Sequence, residues 1–286
     1  MNHASKASRT ALCVLCLFGV VQLAACATRD ALDSVSQTPS PTLHTSASPA
    51  PRASSTPIVP DSGWTALRDG MEQRIMNVTG EDGEWLESVT ILRLDPASFR
   101  FDVLYNPGEP KTLSEWQAQS GALLVVNGGF FTEDNQATGL VVAGGQAFGR
   151  SYEGFGGMFA VTQRGPFLRW LPEKPYDPQE PLLAALQSFP MLLTPGGVPG
   201  IPAEDGQRAR RTVVALDEQG RVLFLISSFG HFTLHGLSRY LHASDLALDR
   251  ALNLDGGASS GLLLSDPQLF VPAFEQLPTV IAVYAR

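Results

Sequence analysis

All three cysteines of this 286-residue chain, Cys13, Cys16 and Cys26, fall within its first 26 residues. Everything after them must therefore fold without an intramolecular disulfide and without a thiolate metal site. The cysteines instead sit in what reads as an export segment. Residues 1–10 carry Lys6 and Arg9 with no acid, and residues 11–25 form an apolar run broken only by Gly19 and Gln22. Such a run is too short to span a bilayer comfortably, but it fits the charged and apolar regions of a signal peptide.

The run ends in Leu23-Ala24-Ala25-Cys26, which resembles the lipobox of bacterial lipoproteins. That resemblance implies cleavage before Cys26 and acylation of its thiol; the alternative is an ordinary signal peptide with a cysteine at its cleavage site. Residues 1–26 are thus expected to be a lipoprotein signal, and Ala27 favours the outer membrane over the outer face of the cytoplasmic membrane. From residue 27 to residue 60, 18 of 34 residues are Ser, Thr or Pro. Too little there is apolar to bury, so the segment reads as a disordered tether spanning roughly 30 Å. Residues 61–286 remain as one folded domain, exported and lipid-anchored to the bacterial cell envelope. With 28 carboxylates against 20 cations and a net charge of -8, the chain lacks the basic surface of a nucleic-acid binder.

Within the folded part, residues 85–94 and 99–105 are rich in β-branched and aromatic residues around Asp95-Pro96-Ala97-Ser98, which predicts an antiparallel hairpin. Thr112-Leu113-Ser114-Glu115 is a capping-box pattern opening a short helix to residue 120. Further strands are expected at residues 122–126, 140–143, 157–162, 191–194, 211–216, 222–227, 250–254, 261–265 and 279–285. Asp217-Glu218-Gln219-Gly220 reads as a hairpin turn. Helices are expected at 181–188 and 237–248. Many strands and few helices in mixed order predict an α+β fold, a single domain with a mixed, twisted β-sheet core.

Two stretches share a local design. Leu124-Val125-Val126-Asn127-Gly128-Gly129 and Leu252-Asn253-Leu254-Asp255-Gly256-Gly257 each run a buried strand into a short polar residue and two glycines. Glycine permits positive φ and close ligand approach, so successive amides can converge on an anion, with the Asn or Asp fixed at the strand's end. The alternative for each is a tight hairpin turn. Arg208-Ala209-Arg210-Arg211-Thr212 then leads a cluster of Arg into an apolar strand. A guanidinium fork there suits two phosphate oxygens. A solvated charge run pairing with Glu204 and Asp205 is the plainer reading, more so for Arg208 and Arg210 than for Arg211.

Asn127-Gly128-Gly129-Phe130-Phe131, Arg211-Thr212 and Leu252-Asn253-Leu254-Asp255-Gly256-Gly257-Ala258-Ser259-Ser260 together resemble the phosphodiester glycosidase family, in order and with family-like spacing. Gly139-Leu140-Val141-Val142, Phe189-Pro190-Met191-Leu192-Leu193 and the closing strand add weaker matches, and the likeness runs from about Val89 to the C-terminus. Ala215 and Ala258 stand where the family commonly has Gly. The resemblance implies hydrolysis of a sugar-1-phosphodiester at the anomeric C–O bond, giving free sugar and a phosphomonoester. A phosphomonoester leaves readily, so such an enzyme needs less proton donation and more stabilisation of negative charge. Asp255 is then expected to be the principal catalytic carboxylate, with Glu133 or Asp134 a candidate second one. Arg211 and the amides of Gly128, Gly129, Gly256 and Gly257 would hold the phosphate, while Asn127, Thr212 and Ser259 would complete the substrate site. No cofactor or metal is implied; the partners are an anionic glycan or sugar phosphodiester and the membrane.

Other readings compete. His231 and His235 stand four apart, a metal spacing on a helix, but flanking Gly230 and Gly236 favour a loop. Gly257-Ala258-Ser259-Ser260-Gly261 fits the nucleophile elbow letter by letter, which makes a serine hydrolase a rival. His231, His235 and His242 all precede that serine, against the α/β-hydrolase order. A non-catalytic envelope lipoprotein binding an anionic glycan is the second rival.

Overall fold

A computed structural model describes residues 61–80 and 83–286. The signal segment, Cys26 and the tether lie outside the described residues. The described part is mostly β-sheet with two α-helices, in three sheets whose named strands pair antiparallel throughout.

The largest sheet has eight strands, with Trp85–Leu94, Val222–Ser227, Arg211–Asp217 and Leu248–Asn253 side by side in that order. Two five-stranded sheets accompany it. One centres on Leu124–Asn127, flanked by Leu262–Leu264 and Thr279–Ala285. The other centres on Ala184–Ser188, flanked by Val141–Ala143 and Gly157–Thr162.

All three sheets contribute to one core, through residues such as Leu92, Phe101, Leu124, Phe159, Phe224 and Leu252. Their other faces are covered as well. The helix Leu234–Ala243 lays Leu237 and Leu241 over Val213, Ala215, Leu223 and Leu225. The helix Leu113–Ser120 lays Leu113 and Trp116 over Val125, Leu263 and Val280. This two-sided burial explains why the strands read as continuous apolar runs instead of alternating. Val214 faces the shared core while Val213 and Ala215 face the helix, so neither side of the strand tolerates a polar residue.

Local chemistry sets several boundaries as expected. Thr112 accepts the Glu115 amide at 3.2 Å while the Glu115 carboxylate accepts the Thr112 amide at 2.8 Å, the reciprocal capping box. The Asp217 carboxylate accepts the Gln219 and Arg221 amides, and Gly220 takes φ 79°, closing the hairpin turn.

Three expectations are corrected. Trp85–Leu94 and Phe99–Tyr105 do not form a hairpin: the first pairs with Met71–Thr79 and Val222–Ser227, the second with Thr279–Ala285 in another sheet. Asp95 to Ser98 is a turn, but it carries the chain between sheets. The expected helix at 181–188 is instead the strand Ala184–Ser188, paired along its length with Gly157–Thr162; its Ala-Leu composition suits a helix, and burial on both faces overrides that preference. The second helix begins at Leu234, where Thr233 caps it, and ends at Ala243, because Leu248 already belongs to the next strand.

Candidate active site

Both strand-to-Gly-Gly motifs come from strands paired on both sides, and the structure brings them together. The Asp255 amide donates to the Gly128 carbonyl at 3.0 Å. Asn127, fully buried, joins the pieces: its Nδ2 donates to the Asp255 carbonyl at 2.8 Å, and its Oδ1 accepts the Thr212 hydroxyl at 2.7 Å and the Gly261 amide at 3.0 Å. Thr212 is equally buried and its carbonyl accepts the Leu254 amide at 2.8 Å. Asn127 and Thr212 thus work inside the protein, fixing the backbone of Asp255 from two other strands.

The glycine amides correct the anion-nest expectation. Gly128 donates to the Thr279 carbonyl, Gly257 to the Arg210 carbonyl, and Gly256 to the Asp255 carboxylate. Three of the four amides are therefore spent within the protein. These glycines serve close packing instead: a Cβ on Gly128 would stand 2.5 Å from the Thr279 methyl, and one on Gly129 2.6 Å from the Gln187 carbonyl oxygen. Of the four, only Gly257 needs positive φ, at 61°.

Asp255 itself is half-buried. Burial is the main cause that raises its pKa, to about 6; the Ser259 hydroxyl and Gly256 amide pull it down, and the charge of Glu275 adds to the rise. The Ser259 hydroxyl lies 2.6 Å from Asp255 Oδ2 and also bonds Glu275 Oε1. A hydroxyl has one proton, so filling both gaps requires a second proton on one of the carboxyls. Asp255 Oδ2 and Glu275 Oε1 thus meet at one hydroxyl oxygen.

Glu275 is the second carboxylate that the sequence did not single out. It stands in an exposed loop, 20 residues from Asp255, with no motif around it. Glu133 and Asp134 are exposed on a turn closed by Thr132 and Gln136, and the carboxylate that the structure brings to Asp255 is Glu275.

The arginines are placed differently from one another. Arg211 Nε donates to the Phe232 carbonyl at 3.3 Å and Nη2 to the Gln207 carbonyl at 2.7 Å; two of its five N–H bonds brace two loops. Arg208 donates to the His231 carbonyl and Glu204 accepts from Thr233, so neither forms the expected surface pair. Arg210, read as the solvated one, has Nε and Nη1 buried with no hydrogen-bond partner.

An aromatic group includes Phe130, which directly follows Gly128-Gly129. Phe130 and Phe189 lie 4.6 Å apart between ring centres, and Tyr152 lies 4.7 Å from Phe155 and 5.5 Å from Phe189. Burial pushes the Tyr152 hydroxyl's pKa up, Thr138 opposes, and the charge of Asp255 adds to the rise. Clefts elsewhere, one lined by Phe99, Asp102 and Pro166 and one by Arg164, Arg169 and Glu180, each contain a single acidic side chain.

The rival motifs resolve differently. His231 lies in the loop before the Thr233 cap and His235 in the helix, its Nδ1 2.8 Å from the Ile201 carbonyl. His242 Nδ1 likewise faces the Gly197 carbonyl at 2.9 Å. Ser259 therefore has carboxylates where a nucleophilic serine has an imidazole.

No curated protein sequence matches the chain. Among solved structures it is similar to the catalytic domain of zebrafish N-acetylglucosamine-1-phosphodiester alpha-N-acetylglucosaminidase, auto-inhibited by its pro-peptide. The TM-score is 0.63 at 19% identity, over 80% of this chain and 89% of that one. A hypothetical protein from Synechocystis aligns with TM-score 0.51 at 15% identity, over 76% of this chain and 62% of that one. Identities this low speak for the fold alone. The sequence model of the phosphodiester glycosidases matches residues 120–284, a span that contains Asn127, Arg210, Asp255, Ser259 and Glu275. By that match, over more than half of its length, the chain belongs to the phosphodiester glycosidase family.

Proposed function

We propose that this chain is an exported, lipid-anchored hydrolase that cleaves the anomeric C–O bond of a sugar-1-phosphodiester in envelope or environmental glycans, releasing free sugar and a phosphomonoester. One observation carries the reading: Asp255, desolvated and raised to about 6, shares the Ser259 hydroxyl with Glu275. A pair of carboxyls beside a bond to be hydrolysed is what glycoside chemistry requires, and family membership supports the substrate class.

In this reading the ionised Asp255 attacks the anomeric carbon, or activates water there, as the C–O bond to phosphate breaks. Ser259 and Glu275 hold the proton that the site retains. Glu275 passes that proton to the departing phosphate oxygen and, now ionised, deprotonates the water that releases the sugar. The departing phosphomonoester is weakly basic and needs positive charge more than a proton, which Arg210 and Arg211 supply. Asn127 and Thr212 position Asp255 without touching substrate. The Phe130, Tyr152, Phe155 and Phe189 rings offer flat apolar faces to a sugar ring.

The experiment is incubation of the full chain with a panel of sugar-1-phosphodiesters, reading reducing sugar and phosphomonoester together. Equimolar release of both, absent from Asp255→Asn, supports the reading; saturable binding with no release would instead favour an envelope glycan-binding protein. Labelling of Ser259 by a fluorophosphonate would point to the serine hydrolase.

A further inference from the structure

Arg210 immediately precedes the strand that bears Thr212. Its carbonyl accepts the Gly257 amide at 2.9 Å, tying its backbone to the turn after Asp255. Its side chain reaches the 272–276 loop, where Nη2 donates to the Pro272 carbonyl at 2.9 Å and the Phe274 ring centre lies 4.6 Å from the guanidinium carbon. Nε and Nη1 are buried with no acceptor, leaving three N–H bonds unclaimed.

That arrangement is incomplete as it stands. Burial lowers the guanidinium pKa, and the charge that opposes this belongs to Glu87. The Glu87 oxygens are already occupied by the backbone amides of Ser88, Phe229 and His231. A desolvated cation with open donors is destabilising unless oxygens come to it. The cover over it is also loosely held, because Phe274 is 70% exposed and gains little from burial where it sits. The next residue, Glu275, bonds Ser259, and the Phe274 amide bonds the Ala258 carbonyl at 2.7 Å. One loop therefore touches Arg210 and the carboxylate pair together.

We propose that Arg210 is the anion-binding residue of this site, its guanidinium receiving the phosphoryl oxygens of the substrate, and that the Phe274 ring covers those donors until an anion takes its place. The identification of the anion as a substrate phosphoryl group rests on the glycosidase reading above; the anion site does not. Arg211 spends Nε and Nη2 on loop carbonyls and adds its charge, whereas Arg210 has Nε and Nη1 open for ligand oxygens.

The test uses the full chain and inorganic phosphate alone, titrated calorimetrically at pH 7.5, with thermal melting to confirm that each variant folds. Arg210→Gln is expected to weaken phosphate binding at least tenfold, Arg210→Lys to weaken it less, and Phe274→Ala to tighten it several-fold by removing the competing ring. Phosphate binding as tight in Arg210→Gln as in the parent overturns the proposal, as does no phosphate binding in parent and Phe274→Ala alike. Should Arg210→Gln fail to fold, weaker binding in Arg210→Lys with tighter binding in Phe274→Ala supports the proposal in its place, and the reverse pair overturns it. Arg210-dependent phosphate binding in a chain that hydrolyses no sugar phosphodiester would leave this site standing and sink the glycosidase reading; hydrolysis with phosphate binding indifferent to Arg210 would do the opposite.

Discussion

A carboxylate held as far from water as Asp255 is a local loss that the rest of the fold sustains. Its pKa of about 6 in the folded chain stands above the ordinary 3.8, so between those values the folded state binds the proton more tightly than the unfolded state does. The associated stability is present in full below pH 3.8 and is lost as pH rises through about 6, up to about 3 kcal/mol in all. Asp255→Asn removes the charge and keeps the acceptor for the Gly256 amide. It should therefore melt several degrees above the wild type at pH 8, with the gap closing by pH 4; a variant that melts lower at pH 8 would show that burial is not what raises this group. Asp255 was legible in the sequence because a carboxylate between a buried strand and two glycines is an uncommon combination. Arg210 was not, since a run of three arginines in four positions gives no sign of which fork is spent on backbone carbonyls and which is left open.

At the scale of elements, the site is built where strands from two sheets end and one loop returns. The polar end of Leu124–Asn127 was visible in the sequence as an apolar run stopping at Asn127, and that of Leu248–Asn253 only as the short stretch Ala251-Leu252-Asn253-Leu254 before Asp255. That their glycines serve packing and not anion binding was invisible, because Gly128 is required by the Thr279 backbone, which lies 151 residues away in the chain. The misread hairpin has the same cause: a turn sequence between two strands reports the turn, and says nothing of which sheet each strand joins. The 272–276 loop escaped altogether, being short, exposed and without pattern, yet it delivers Glu275 to Asp255. Because the Glu275 charge contributes to the raised pKa of Asp255, Glu275→Gln should move the acid limb of kcat/KM, expected near pH 6, to lower pH and reduce kcat. An unmoved limb in a folded, active variant would remove Glu275 from the pair.

Taken as a whole molecule, the chain combines an acidic net charge of -8 with a site that, in the proposed function, holds a second anion beside two carboxyls. The positive charge has to be local, and Arg210 and Arg211 stand where it is needed. The overall class, β-rich with two short helices, followed from the density of strand-length apolar runs; the division into three sheets around a shared core did not, since it depends on pairings between residues far apart in sequence. No described helix is long and apolar enough to cross a membrane, and the membrane attachment proposed here rests on Cys26. In a bacterial host, incorporation of a clickable palmitate analogue into the full chain should be abolished by Cys26→Ser, and labelling that survives the substitution would exclude that anchor.

The central claim concerns which bond breaks. Hydrolysis of a sugar-1-phosphodiester in water enriched in oxygen-18 separates the two possibilities, because attack at the anomeric carbon places the heavy oxygen on the sugar and attack at phosphorus places it on the phosphomonoester. With Asp255 acting at carbon, the label appears in the released sugar and turnover vanishes in Asp255→Asn; label in the phosphomonoester, or undiminished turnover in that variant, would contradict the account.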